Sequence, residues 1–457
     1  MRSLVAKRIA AIALSFLTSC APVPQDPPPA RALGLNTALP PMRTFAPQHV
    51  SGPSRANSEI MEDFLDLTFR MESGRLIPRM TRFEAPVSVR VVGEIPPHMI
   101  DDLRALLQRL RNEAGIDIFL TGADTASITI QAIPSETLQR AVPRAACFVV
   151  PRISSWDEFL TARRTPQVDW ATLSRRDRAA IFVPSDVAPQ EIRDCMHEEL
   201  AQALGPLNDL YRLPDSVFND DNIHAVLTPF DMTILRAYYA PELQNGMTQG
   251  EVAARLPALL ARLNPAGQSR SGIPLNDTTR DWIESMETAL SSGPSQMARR
   301  TAAERAVMLA NNFNWDGTRR GFAHYAHGRL QVGTAPNRAY ASFQAADAAY
   351  ASSDNTRIHR AHVAVQLAAF ALSEGDAAEV LRLVGYAIPQ AAQHENAALL
   401  ATLMMFQAEA LEIEGRFSEA QAVRLDSLGW ARYGFGDERN VRARQREIAA
   451  LRPWLRG

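Results

Sequence analysis

Cys195-Met196-His197-Glu198-Glu199-Leu200-Ala201-Gln202-Ala203-Leu204-Gly205-Pro206-Leu207-Asn208-Asp209 is the stretch around which the rest of the chain can be ordered. Leu200, Ala203 and Leu204 recur at helical spacing, so Cys195 to Leu204 is predicted to be an amphipathic helix. Ser185 or Asp186 marks its expected start. Gly205 and Pro206 end it, because glycine accepts the left-handed cap and proline cannot continue the helix.

Upstream, the apolar period changes from segment to segment. Ile60 to Met71 and Met99 to Ala114 read as helices, the second with Asp101 and Asp102 in its first turn. Pro86-Val-Ser-Val-Arg-Val-Val92 alternates like a strand, and Ile116–Leu120 and Ser127–Gln131 are further strands. Cys147–Val150 and Ala180–Val183 are two more short apolar runs. Strands and helices in this order predict an α+β domain with a twisted mixed sheet over residues 59–250. Downstream, Leu227 to Tyr239 is a helix with Thr228 as N-cap, Pro229 at the first helical position and Asp231 closing a capping box. Its apolar face is Met232, Leu235 and Tyr239.

Glu198, Glu199, Gln202, Gly205 and Asn208 fall at the spacing of H-E-x-x-H-x-x-G-x-x-H, the helix motif of metzincin metallopeptidases. Ser216-Val217-Phe218 stands where those enzymes carry a Ser-x-Met turn, with phenylalanine for methionine, and Leu227 to Tyr239 resembles the helix that follows in matrix metalloproteinases. Cys147 to Leu243 therefore resembles a divergent metzincin (zincin-type) core. The resemblance puts Glu199 at the general-base position and Glu198, Gln202 and Asn208 at the ligand positions, with Gly205, Asp209, Ser216 and Phe218 shaping the site.

None of the three ligand positions holds histidine. A catalytic zinc needs three firm donors and an open water position; amide oxygens from Gln202 and Asn208 suit zinc poorly. Without a metal to acidify its water, Glu199 alone makes a feeble hydrolase. The expectation is therefore an empty site and no cofactor. An oxygen-rich divalent-metal site drawing on His197, Asp209, Asp220, Asp221 and His224 is the alternative. Turn and cap chemistry is the plainer reading of Asp215, Asp220 and Asp221. For His197 the plainer reading is an exposed or hydrogen-bonded helix residue. Glu59 to Met247 also resembles an uncharacterised family of bacterial envelope proteins that shares the Glu-Glu helix, the Gln-Ala-Leu-Gly and Asn-Asp steps and the Phe-Asn-Asp turn. That family brings no activity with it.

The N-terminus reads as a targeting segment. Arg2, Lys7 and Arg8 precede an apolar run from Ile9 to Leu17 that is too short to span a bilayer. It ends Leu17-Thr18-Ser19-Cys20, which resembles a bacterial lipobox. This predicts a signal peptide over residues 1–19, lipidation of Cys20 and membrane attachment through that lipid. Ala21 in place of aspartate points to the periplasmic face of the outer membrane. Residues 20–58, with Pro22, Pro24 and Pro27-Pro28-Pro29, are expected to be a disordered tether. In an oxidising compartment the two remaining cysteines, Cys147 and Cys195, are read as a disulfide. Cys195 as a nucleophile is the alternative, but persuasive histidine and acid partners are missing from the sequence.

Residues 251–277 are expected to link to a helical domain over residues 278–457. There His324–Gly333, Val365–Gly375 and Met405–Gly415 each run an apolar helix into glycine. Each is followed by a second helix: Arg338–Tyr350, Asp376–Ile388 and Arg416–Trp430. The spacing of about 40 residues is that of helical-hairpin repeats, and the pattern is similar to tetratricopeptide repeats. Such stacks present grooves to protein or peptide partners. A net charge of −2 on 457 residues points away from nucleic acid. The combined expectation is an envelope lipoprotein that pairs a non-catalytic pseudo-peptidase with a partner-binding helical scaffold. The alternative is a divergent metal-dependent peptidase or hydrolase using Glu198, Glu199 and neighbouring acids.

Overall fold

The structure is a computed structural model and describes residues 39–46, 52–143, 145–272 and 276–453. The signal peptide, Cys20 and the proline-rich part of the tether lie outside the described residues. The chain divides into two compact units. One spans residues 46–278; the other joins residues 279–457 to the N-terminal segment that ends at Phe45.

The first unit contains α1 (Asn57–Phe69), β1 (Val87–Gly93), α2 (Met99–Ala114), β2 (Ile118–Leu120), β3 (Ile128–Ile133), α3 (Ser135–Ala141), β4 (Phe148–Pro151), α4 (Trp156–Ala162), β5 (Ala179–Pro184), α5 (Pro189–Leu204), α6 (Pro229–Tyr238), α7 (Gln249–Leu263) and α8 (Pro265–Gln268). The strands form one mixed sheet in the order β2-β1-β3-β5-β4; β4 alone runs antiparallel, at the edge. All six residues of β5 are buried, as expected of a strand covered on both faces. Its side chains divide by the two-residue period: Ala179, Ile181 and Val183 join the main core, and Ala180 and Phe182 join a second one. In the second, Phe148, Trp156, Phe159 and Phe182 bring their ring centroids within 5.0–6.3 Å of one another.

Leu103, Leu106, Leu107 and Leu110 of α2 and Met196, Leu200, Ala203 and Leu204 of α5 fill the main core with the apolar stripes of α1, α6 and α7. The stretch expected to be linker or helix carries α7, which packs on α1 and belongs to this unit. The disulfide between Cys147 and Cys195 joins the approach to β4 to α5. Closing a loop of 48 residues restricts the unfolded chain by about 4 kcal/mol in the entropy model.

The second unit is all-helical among its described residues: α9 (Arg280–Leu290), α10 (Gln296–Asn312), α11 (Thr318–Gln331), α12 (Pro336–Tyr350), α13 (Arg357–Glu374), α14 (Ala377–Gln393), α15 (Ala397–Ile413), α16 (Phe417–Phe435) and α17 (Glu438–Ala449). Each helix packs on the next in sequence. Gly375 and Gly415 adopt φ of +79° and +76° at the turns between α13 and α14 and between α15 and α16, a conformation that glycine takes without a Cβ penalty. Leu39–Phe45, expected to be free tether, instead lies on α16: the Arg43 amide donates to the Gly429 carbonyl at 3.0 Å. Among the described residues no helix is long and apolar enough to cross a membrane.

Candidate functional site

The helix that carries the Glu-Glu pair is α5. It starts earlier than its apolar period suggests, at Pro189, with Ala188 as N-cap. Asp186 does not cap it, because its carboxylate accepts the amide and the hydroxyl of Ser135 at the start of α3, at 2.8 and 3.0 Å. At the other end the last carbonyls would be left without partners. Arg176 meets them from outside the helix, donating to the carbonyls of Gln202 (2.6 Å), Ala203 (2.7 Å) and Gly205. Its guanidinium lies 4.7 Å from the Trp170 ring centroid. The Tyr239 hydroxyl takes the Leu204 carbonyl at 3.0 Å. Gly205 is needed for space: a Cβ there would stand 2.9 Å from the Tyr238 ring.

Beyond Gly205 the chain is tied to α1. The Leu207 amide donates to Leu67 at 2.9 Å, and the Asn208 side chain donates to the Asp66 carbonyl at 3.1 Å. Arg212 pairs with Asp63 (2.8 Å) and Asp66 (2.7 Å), and Arg55 pairs with Asp63 and with Asp215 (3.4 Å). Asp63 is fully buried. Such a network holds its shape because every buried charge is partnered.

The Ser216-Val217-Phe218 turn is built on Asp231 of α6. That carboxylate accepts the Ser216 hydroxyl at 2.5 Å, the Val217 amide at 3.2 Å and the Thr228 amide at 2.8 Å. Thr228 completes the expected capping box. Burial pushes Asp231 up to about 6 against these hydrogen bonds. Phe218 is fully buried. Asp221 accepts the Ile223 amide (3.1 Å) and the Asn219 side chain (2.8 Å), the local pattern of an Asx turn.

His197 faces the core. Its Nδ1 accepts the Leu227 amide at 3.1 Å, which places the proton of the neutral ring on Nε2. Burial, with Arg109 and Arg193 nearby, holds its pKa well below the usual histidine value. His224 is 3.2 Å from the Pro214 carbonyl.

The carboxylates of the site come from three places. Glu198 and Glu199 are on α5, Asp209 and Asp220 follow it, and Glu72 comes from the turn after α1. Burial first, then Asp220, Glu72 and Asp194, push Glu198 up to about 8. Burial, Glu198 and Glu72 raise Glu199 well above the ordinary range, although the Val149 amide of β4 hydrogen-bonds it. Asp209 is raised by burial, by a hydrogen bond to Glu72 and by the charges of Glu198, Glu72 and Asp220. Burial and neighbouring like charges both oppose ionisation of Glu198, Glu199 and Asp209. Glu199 is 4% exposed, and its Oε2 has no hydrogen-bond partner; neither has Asp209 Oδ1.

Each of the three ligand positions has its own partners. Gln202 donates to Asp209 at 3.5 Å, Asn208 is spent on the Asp66 carbonyl, and Glu198 shares its recess with Glu72 and Asp220. A zinc ion fits this donor set poorly: two of the three positions offer only neutral amide oxygens, and burial opposes ionisation of the Glu198 carboxyl. Among the described residues no three His, Cys, Asp or Glu side chains are arranged to hold a metal ion. Glu72 and Arg176, which complete the recess and cap its helix, carry no local sequence signal. Both arrive from distant segments.

Residues 57–258 match the profile of a family described as a protein of unknown function (DUF2927). No curated protein and no solved structure matches the chain.

Proposed function

We propose that the chain is a lipid-anchored envelope protein that joins a non-catalytic, metzincin-like domain to a tetratricopeptide-like scaffold for a protein or peptide partner. One observation carries the loss of catalysis. The single imidazole on α5, His197, is turned into the core to accept the Leu227 amide, while the carboxyls at the motif positions favour their neutral form. A metallopeptidase needs the reverse: imidazoles or ionised carboxylates around one point, and a base that can take a proton. The order of sheet, helix, Ser216 turn and capped α6 supports the kinship with metzincins. A carboxyl whose ionisation is opposed, as at Glu198 and Glu199, can donate a hydrogen bond to a peptide carbonyl that is bound and not cut.

A second reading is favoured by the hydrogen bond between Asp209 and Glu72: two hydrogen-bonded carboxyls can work as an acid–base pair without a metal. One experiment separates the readings. The purified mature chain is analysed for bound metal and incubated with a peptide mixture from pH 4 to 8, with and without chelator. The expected result is no stoichiometric metal and no cleavage. Chelator-sensitive cleavage with bound metal would overturn the proposal. So would chelator-insensitive cleavage at acid pH that Glu199→Gln abolishes while the fold is kept.

A further inference from the structure

Leu39-Pro40-Pro41-Met42-Arg43-Thr44-Phe45 meets α16 through four kinds of contact. The Arg43 amide donates to the Gly429 carbonyl at 3.0 Å, and Arg432 donates to the Pro40 carbonyl at 2.8 Å. The Arg43 guanidinium pairs with Asp426 at 2.7 Å and lies 5.7 Å from the Trp430 ring centroid. Phe45 stacks on Trp430 with centroids 4.5 Å apart and planes 29° apart. Glycine inside a helix is a poor choice unless something needs the space. Here a Cβ on Gly429 would stand 3.1 Å from Arg43 Cγ and 3.2 Å from the Pro41 carbonyl oxygen. The segment itself pairs with no strand and forms no helix. Its two prolines restrict φ beforehand, so little backbone freedom is lost on docking.

We infer that this face of α16, made by Asp426, Gly429, Trp430 and Arg432, is a peptide-recognition site for extended segments of the pattern Pro-Pro-x-Arg-x-aromatic. Leu39–Phe45 occupies it as an intramolecular ligand. The division of labour follows from the contacts. Arg432 and the Gly429 carbonyl read the backbone, Asp426 reads the arginine, Trp430 reads the aromatic ring, and Gly429 admits the chain. A partner protein that carries the same pattern displaces the chain's own segment. This deepens, and rests on, the reading of the helical unit as a partner-binding scaffold.

The test uses the full mature chain and a labelled peptide with the sequence of residues 39–46. In the wild type the tethered copy competes at an effective concentration on the order of millimolar. Removing its two anchors with Arg43→Ala and Phe45→Ala should therefore tighten peptide binding at least ~tenfold, read by fluorescence anisotropy. Adding Gly429→Ala to that variant should weaken binding several-fold, although alanine favours the helix and the far-UV circular dichroism should be unchanged. Trp430→Ala should act like Gly429→Ala. A scrambled peptide should not bind any form. The inference is overturned if the opened variant binds no tighter than the wild type, or if Gly429→Ala leaves binding intact. Metal content and peptide turnover report on the α/β unit and do not move with these variants. A failure here is thus distinguishable from a failure of the pseudo-peptidase reading.

Discussion

Glu198 shows how one side chain can be legible in type and illegible in state. Its place in the motif follows from spacing, but its carboxyl is pushed up to about 8 by burial and by Asp220, Glu72 and Asp194, which come from other segments or the preceding turn. The sign of the consequence is definite. In the unfolded chain the group titrates near 4.3, so between about pH 4 and 8 the folded chain holds the extra proton, and stability falls as pH rises through that window. Glu198→Gln should match the wild type in urea midpoint near pH 4.5 and exceed it at pH 8.5, with a shallower slope between. A variant that is weaker at both pH values would show that the carboxyl is held by contacts and not opposed by its neighbours. His197 follows the same logic in reverse. Its identity suggested an exposed or hydrogen-bonded helix residue, and its partner is the Leu227 amide thirty residues away.

Among the elements, α2 and α6 were readable almost to the residue. Met99 to Ala114 carries its own acidic first turn, and Thr228-Pro229-Phe230-Asp231 contains its own cap. α5 begins at Pro189, close to Asp186, but Asp186 does not cap it because Ser135, a partner that no local pattern announces, takes its carboxylate. Its end at Gly205 was found, but for an incomplete reason. The φ of −168° is extended backbone open to any residue, so glycine stands there to clear the Tyr238 ring. Gly205→Ala should therefore cost about 1–3 kcal/mol in urea denaturation. The double variant with Tyr238→Leu should lose less than the sum of the two single changes. Strict additivity would show that the ring is not the obstacle.

At the scale of the whole molecule the described chain is two compact units, and the stretch expected to be one free tether is shared between them. Residues 39–45 belong with the helical unit, and α1 of the α/β unit begins at Asn57. The lipid anchor proposed at Cys20 is a property at this scale. Cys20→Ala should release the protein from washed membranes into the soluble fraction and abolish incorporation of a labelled fatty acid. Continued membrane association without label would place the attachment elsewhere.

By itself the chain determined much of its local order: where the strongly periodic helices and strands run, and that a mixed α/β region precedes an all-helical one. These features depend on periodicity, caps and composition within a few residues. Only the tertiary structure decided which acids share a recess, that Asn208 serves α1 and not Gln202, that Arg176 caps α5, and that Leu39–Phe45 rests on Gly429 and Trp430. Protonation and contact depend on distances between residues far apart in the chain, and only the packed core brings such residues together.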